Sequence, residues 1–324
     1  MINAIRVHET GGPDVLKYEQ VEIGQPAAGE ARIKHEAIGL NFIDTYFRTG
    51  LYKAPQLPFI PGQEGAGIVV AVGAGVTNVK AGDRVAYTGA MGSYADERLI
   101  AADRLVLMPD SMDMRLAASM MLKGMTAYYL THLTYKVQKG DTILIHAAAG
   151  GVGQIAGQWA KHLGATVIGT AGSQEKIDLA LSLGYDHVIN YAQDNFVEKV
   201  REITGGKGLP VVYDSVGKDT FPASLDVLQP RGLFVSYGNA SGPVPPFEMA
   251  LLSQRGSLFA TRPTLGHYIA TREELEQAAQ ALFAVVSSGA VKINVNQSYD
   301  LRDAAQAHRD LEARKTTGTT VLIP

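Results

Sequence analysis

The chain has 324 residues, 29 Lys plus Arg against 32 Asp plus Glu, a formal net charge of −3 and a hydrophobic fraction of 46%. That composition fits an ordered, water-soluble protein, and the length fits two domains of about 100–200 residues each. Zero cysteines exclude a disulfide framework, a Cys nucleophile, an iron–sulfur cluster and thiolate-ligated zinc. The eight histidines never recur three or four residues apart, so a helical metal pair is absent as well. Near-neutral charge without a long Lys/Arg run argues against a nucleic-acid or anionic-membrane surface. The 35 glycines, about 11% of the chain against a usual value of about 7%, imply many sites of tight turning or close backbone approach.

In chain order, the start is charged early and carries no targeting segment, which leads us to expect a cytoplasmic protein. Short strands at 5–8, 30–35 and 67–72, separated by Gly/Pro turns at 11–13, 61–62, 73–75 and 81–83, predict antiparallel, barrel-like β structure over the first 125 or so residues. From about residue 141 β-branched runs alternate with helical stretches, the signature of a parallel α/β sheet. Strands at 142–146, 165–169, 187–190, 210–214, 232–236 and 257–260 predict one doubly wound sheet. Helices at 272–287 and 301–312 and a last strand at 319–323 find their simplest home in the first domain. The expected division is therefore 1–125 plus 267–324, with residues 126–266 inserted as the sheet domain. The longest uncharged run, from Asp141 to Lys161, just reaches membrane-spanning length. Its Gly150, Gly151, Gly153 and Gly157, with His146, Gln154 and Gln158, read instead as strand, turn and helix.

That turn carries the first functional signal. The strand at 142–146 enters Ala147-Ala148-Ala149-Gly150-Gly151-Val152-Gly153 and then a helical stretch to Lys161. Glycines there allow a tight turn, admit a pyrophosphate to the backbone, and aim helix N–H groups and dipole at it. The first Gly of G-x-G-x-x-G is replaced by Ala148, so the dinucleotide reading draws on context: strand before, helix after, six-strand alternation around. At the end of the second strand an NAD site places a carboxylate. Here the residues are Gly172, Ser173, Gln174, Glu175 and Lys176. A small-residue loop, a helix N-terminus and a lysine suit the 2′-phosphate of NADPH. With Ser173 as N-cap, Glu175 falls in the first helical turn, where a carboxylate favours the dipole without reaching ribose.

The run from Gly140 through Gly153, continuing to Gln158 and Lys161, resembles the signature of the quinone oxidoreductases and zeta-crystallins, the zinc-lacking branch of the medium-chain dehydrogenase/reductase superfamily. Asn41-Phe42-Ile43-Asp44-Thr45-Tyr46, Leu122-Lys123-Gly124-Met125-Thr126, Val212-Tyr213-Asp214-Ser215-Val216-Gly217 and Thr261-Arg262-Pro263 extend the resemblance over essentially the whole chain. It implies an α/β protein with a GroES-like β-barrel catalytic domain and an inserted Rossmann sheet. It further implies that NADPH is held by Asn41, Thr126, Gly150, Gly151, Val152, Gly172, Ser173, Lys176, Tyr191, Ser215, Tyr237, Gly238, Asn239 and Arg314. In similar proteins the positions of Lys176 and Tyr191 meet the 2′-phosphate, and Arg314 would reach the cofactor from the catalytic domain. A homodimer pairing the outer edge of the sheet, at 256–262, is also implied, and an exposed apolar edge needs covering.

In zinc-dependent relatives one ligand is a Cys at the position of Asn41 and another is the His of G-H-E-x-x-G, which reads Gly62-Gln63-Glu64-Gly65-Ala66-Gly67 here. Two neutral amides supply no Lewis acid, which disfavours alcohol–aldehyde interconversion. A quinone needs less, since charge left by hydride delivery spreads over a ring becoming aromatic. Asn41, Tyr46, Tyr52 and Gln63 are the candidate catalytic donors to a quinone oxygen bound in an interdomain cleft, and no metal site is expected. Tyr46 and Tyr52 read equally as packing residues, and Asp44 as an organiser of local hydrogen bonds. Reduction of the C=C bond of enones or alkenals is the alternative enzyme reading, and a non-catalytic crystallin-like or RNA-binding protein the alternative of another class. The remaining features are absorbed by packing: 204–208 lacks Walker spacing and reads as a turn, His146 as a satisfied core residue, and Tyr128, Tyr129, Trp159 and Tyr191 mostly as core or interface.

Overall fold

The structure, a computed structural model, describes all residues from Met1 to Pro324. The elements run β1 (Ile2–Val7), β2 (Leu16–Val21), β3 (Glu30–Leu40), α1 (Phe42–Thr49), β4 (Glu64–Val72), β5 (Arg84–Thr88), β6 (Glu97–Ala101), β7 (Val106–Leu107) and α2 (Met114–Tyr129). There follow β8 (Thr142–Ile145), α3 (Gly151–His162), β9 (Thr166–Ala171), α4 (Gln174–Ser182), β10 (His187–Asn190), α5 (Phe196–Ile203), β11 (Leu209–Asp214), β12 (Leu228–Ser236), α6 (Ala250–Gln254) and β13 (Phe259–Thr261). The last are α7 (Leu265–Tyr268), α8 (Arg272–Ser287), β14 (Val295–Asp300), α9 (Ala304–Glu312) and β15 (Thr319–Ile323). They fall into two compact units, one of Met1–Met125, Ile269–Phe283 and Ile293–Pro324, the other of Thr126–Tyr268 and Ala284–Lys292.

The first unit is built on a seven-stranded sheet in the order β14-β15-β3-β4-β5-β7, with β6 also paired to β3. Its long strand β3 shows why: Glu30, Arg32, Lys34 and Glu36 alternate with Ala31, Ile33, His35 and Ala37, and only the second set is buried. Register shifts against β4 at Arg32/Ile33 and His35/Ala37 bend the strand, as a barrel-like wall requires. One core gathers Ile33, Val69, Val85, Tyr87 and Leu105. A second gathers Ile38, Leu40, Tyr94, Leu301 and Leu322. Helix α1 begins at the N-cap Asn41 and stops at Gly50, whose φ of 85° makes a left-handed cap.

The second unit is the six-stranded parallel sheet β10-β9-β8-β11-β12-β13. Numbered from β8, that order is the doubly wound 3-2-1-4-5-6 arrangement, whose strand order reverses between β8 and β11, where such sheets bind ligands. Leu144, Ile168, Val212 and Phe234 fill its centre, each contributing about 1.5–3 kcal/mol by burial.

Three local differences from the sequence reading have physical causes. The strand expected at 257–260 is shifted to Phe259–Thr261, because Ser257 takes a left-handed φ of 56°. The helix expected at 301–312 starts as a 3-10 turn over Leu301–Asp303, capped by Asp300, before α9. Residues 267–268 and 284–292, expected in the first domain, sit in the second unit, where Tyr268 stacks on Tyr129 at 4.4 Å and Gln158 bonds both backbone groups of Lys292 at 2.9 Å.

Candidate active site

The turn after β8 is tight. Ala147 has a φ of 55°, Gly150 N–H donates to Ala147 O at 2.9 Å, and Ala148 N–H donates to Thr170 O at 3.0 Å. A Cβ on Gly153 would lie 2.3 Å from Ala147 O, so no other residue fits there. Gly150 is the N-cap of α3 and offers no side chain to cap it. The first-turn N–H groups of Gly151 and Val152 therefore face outward as donors for an anion. This cradle is the fit that a dinucleotide diphosphate requires.

The loop after β9 groups four expected cofactor residues. Ser173 is the N-cap of α4, its hydroxyl accepting from Lys176 N–H, and Glu175 lies in the first turn. A Cβ on Gly172 would come within 2.5 Å of the Tyr191 hydroxyl, so glycine makes room for that ring. A second group forms at the ends of β11 and β12. Asp214 Oδ1 accepts the N–H groups of Val216 and Gly217 at 2.8 and 2.9 Å, and Oδ2 accepts the hydroxyls of Thr220 and Ser224 at 2.6 and 3.0 Å. Asp214 thereby fixes the loop that carries Ser215. The Ser215 hydroxyl bonds the Tyr237 phenol, whose pKa burial pushes up. A Cβ on Gly238 would lie 2.7 Å from Ser215 O. Asn239 continues this loop, its carbonyl accepting from Gly242 N–H at 3.0 Å, and Thr126 is buried on α2. His146 is a satisfied core residue: Ser224 donates to Asp214 and so accepts from His146 Nε2, while Nδ1 accepts from Thr170. The four aromatics divide, Tyr128 and Trp159 packing 5.8 Å apart, Tyr129 on Tyr268 and Tyr191 on Gly172.

The remaining candidates lie in the first unit. Asn41 is buried, its backbone N–H donating to Asp44 Oδ2 at 2.9 Å and its side-chain Nδ2 to Glu64 Oε2 at 2.7 Å. Asp44 Oδ2 also accepts from the Tyr94 hydroxyl at 2.9 Å, and Tyr94 bonds His308 Nε2 at 3.1 Å. Burial pushes Asp44 up to about 7 and raises Glu64, with buried Lys123 pulling both back; Lys123 Nζ donates to Leu40 O at 3.1 Å. Oδ1 of Asp44 and Oε1 of Glu64 have no partner. The two neutral amides read from the sequence are thus set in a charged surround: Asn41 meets Glu64, the neighbour of the expected partner Gln63. Gln63 itself is half-buried, its carbonyl accepting from Gly89 N–H at 2.9 Å. Tyr46 and Tyr52 are half-buried with ring centroids 5.1 Å apart, in an aromatic group completed by Phe42 and Phe47. Arg314 takes a left-handed φ of 59° after α9. No group of three or more His, Cys, Asp or Glu side chains is placed to hold a metal ion.

Sequence reasoning did not single out Glu64, Lys123, Tyr94 and His308 as partners of Asn41 and Asp44, nor Asp214 as the organiser of its loop. Only Asp214, an acid at a strand end before a turn, left a local signal.

Comparison with known proteins defines the class. Residues 27–110 match the alcohol dehydrogenase GroES-like domain, and residues 151–284 match the zinc-binding dehydrogenase family. A quinone oxidoreductase of Pseudomonas aeruginosa is 52% identical with both chains covered in full. The solved structure of Escherichia coli quinone oxidoreductase complexed with NADPH superposes with a TM-score of 0.98 at 50% identity, covering 99% of this chain and 100% of that one. A 2-haloacrylate reductase of a Burkholderia species is 47% identical over 100% of this chain and 99% of its own. This chain belongs to the quinone oxidoreductase family of the medium-chain dehydrogenases/reductases.

Proposed function

We propose that this chain is an NADPH-dependent quinone reductase. The observation that carries the reading is the anion-ready pair of helix starts in one sheet, uncapped α3 behind Gly150 and Ser173-capped α4 beside Lys176, in a chain about half identical to quinone oxidoreductases along its whole length. When bound, NADPH supplies the hydride. The protein's own residues hold and orient. Gly150, Gly151 and Val152 offer the diphosphate N–H donors. Gly172, Ser173, Lys176 and Tyr191 receive the 2′-phosphate, and Ser215, Tyr237, Gly238, Asn239 and Thr126 line the rest of the cofactor's course. From the first unit Asn41 and Arg314 complete that set, while Asn41, Tyr46, Tyr52 and Gln63 offer hydrogen bonds to the quinone oxygen that gains charge. In this reading residues 1–125, 269–283 and 293–324 are the catalytic domain, and 126–268 with 284–292 the NADPH-binding domain.

No helix is long and apolar enough to cross a membrane, and we propose a cytoplasmic enzyme. We also propose a homodimer formed along the free edge of β13, where Phe259 is 61% exposed. The test of function is NADPH oxidation followed across a panel of quinones: acceleration by at least one quinone, with NADPH preferred over NADH, is expected, and no acceleration by any quinone would sink the proposal. The likeness to a 2-haloacrylate reductase favours one second reading, reduction of an activated C=C bond. An enone assayed beside a quinone at equal concentration separates the two. A monomer in solution at micromolar concentration would defeat the dimer.

A further inference from the structure

The turn that enters α3 is braced from behind by a residue outside it. Tyr185, in the link between α4 and β10, is only 4% exposed. Its ring fills a slot that exists because glycines flank it: a Cβ on Gly157 of α3 would come within 2.1 Å of the ring, and one on Gly169 of β9 within 2.8 Å. Inside the slot the Tyr185 hydroxyl donates to Gly153 O at 2.6 Å. One phenol therefore touches β9, the body of α3 and its first turn.

Two points separate this contact from ordinary packing. A carbonyl in the first turn of a helix is already offered an N–H four residues on, so Gly153 O does not need a second donor. Shape alone would be met by phenylalanine, yet the buried hydroxyl is aimed at the residue that can bear no side chain because Ala147 O lies against it. Burial pushes the pKa of Tyr185 well above its ordinary value, so the hydroxyl stays a donor.

We propose that Tyr185 is a positioning residue for the cofactor, its hydroxyl fixing the first turn of α3 so that the N–H groups of Gly151 and Val152 stay aimed at the diphosphate. The proposal rests on the NADPH reading above and goes beyond it by giving the glycine turn a support from the far side. It also accounts for Gly157, which has no positive φ and whose added Cβ would meet the Tyr185 ring alone, while Gly169 makes room for both that ring and Ala148 Cβ of the turn.

The test is Tyr185→Phe, which keeps the ring and removes the donor. NADPH is titrated against the fluorescence of the single tryptophan, Trp159 on α3, and the unfolding midpoint is measured without NADPH. A Kd and a KM for NADPH raised about five- to ten-fold, the worth of one hydrogen bond, with kcat within twofold and the unliganded midpoint little changed, is the expected result. A Kd within twofold of wild type overturns the proposal, whether or not the midpoint falls. Gly157→Ala, which displaces the ring, should raise Kd in the same way and carries the test if the first variant fails to fold. A wild-type protein that binds no NADPH would defeat the cofactor reading itself, and would be seen before any variant is made.

Discussion

Asn41 donates its side-chain N–H to Glu64 Oε2 across 2.7 Å, with both residues buried. The Glu64 carboxyl oxygen thus decides how the amide is turned, and a buried hydrogen bond left without its partner costs about 1–3 kcal/mol. Glu64→Gln should leave the chain folded and lower kcat/KM for quinone about ten-fold or more, read by steady-state kinetics at saturating NADPH. Unchanged kcat/KM would mean that Asn41 does not depend on this partner.

Arg48, at the end of α1, is 1% exposed and grips both carboxylate oxygens of Glu312 on α9 at 3.0 and 2.6 Å, while its third nitrogen reaches Gly11 O at 3.1 Å. A lysine has one nitrogen to offer where this site uses three. Arg48→Lys should destabilise the protein by about 1–3 kcal/mol, measured by denaturant unfolding. A loss under about 0.5 kcal/mol, the size of a surface pair, would contradict the bidentate arrangement.

Two buried histidines set a pH dependence. Burial lowers His35 and His308 from 6.5 to about 3, with Arg48 adding to the effect on His308. Each binds fewer protons folded than unfolded, so its share of stability is complete above pH 6.5 and is lost as pH falls towards 3. Asp44, pushed up from 3.8 to about 7 by burial, acts oppositely: it binds more protons when folded, and its share fades as pH rises from 3.8 to 7. His308→Gln should shrink the fall in unfolding free energy between pH 6.5 and 4.5 by about 2 kcal/mol. An identical fall in both proteins would show that His308 takes up its proton as readily in the fold as in the unfolded chain.

Lys176 should act on one phosphate only. Lys176→Ala is expected to raise KM for NADPH about ten-fold and to leave KM for NADH within twofold, since a charge-assisted bond to the 2′-phosphate has no counterpart in NADH. Equal effects on both cofactors would place Lys176 elsewhere on the dinucleotide.

What the sequence disclosed depended on distance along the chain. The six parallel strands, the turn at Gly150–Gly153 and the cap at Ser173 are written within stretches of a few residues, as periodicity, glycine spacing and a small polar residue before a helix. The surround of Asn41 is not. Glu64 is 23 residues away and Lys123 lies on a helix that neither motif adjoins, while Arg48 meets His308 across 260 residues. Nothing local marks a carboxylate or a lysine as buried, and only folding brings them together. Tyr185 failed to stand out for a related reason, since the slot it fills is made of absent side chains.

The pairing of β15 with β3 has a consequence for biosynthesis. Thr320, Val321 and Leu322 lie opposite Leu40, Gly39 and Ile38, and β15 is an interior strand of its sheet, with β14 on its other side. These partners are made roughly 280 residues apart. While the ribosome is still translating, β6 can cover that edge of β3 only over Glu30–Lys34, and Ile38–Leu40 must wait open, whereas the parallel sheet has all six of its strands in hand once Thr261 has emerged. The nascent chain is therefore open to edge pairing with its neighbours at Ile38–Leu40, until residues 319–323 arrive to close that stretch.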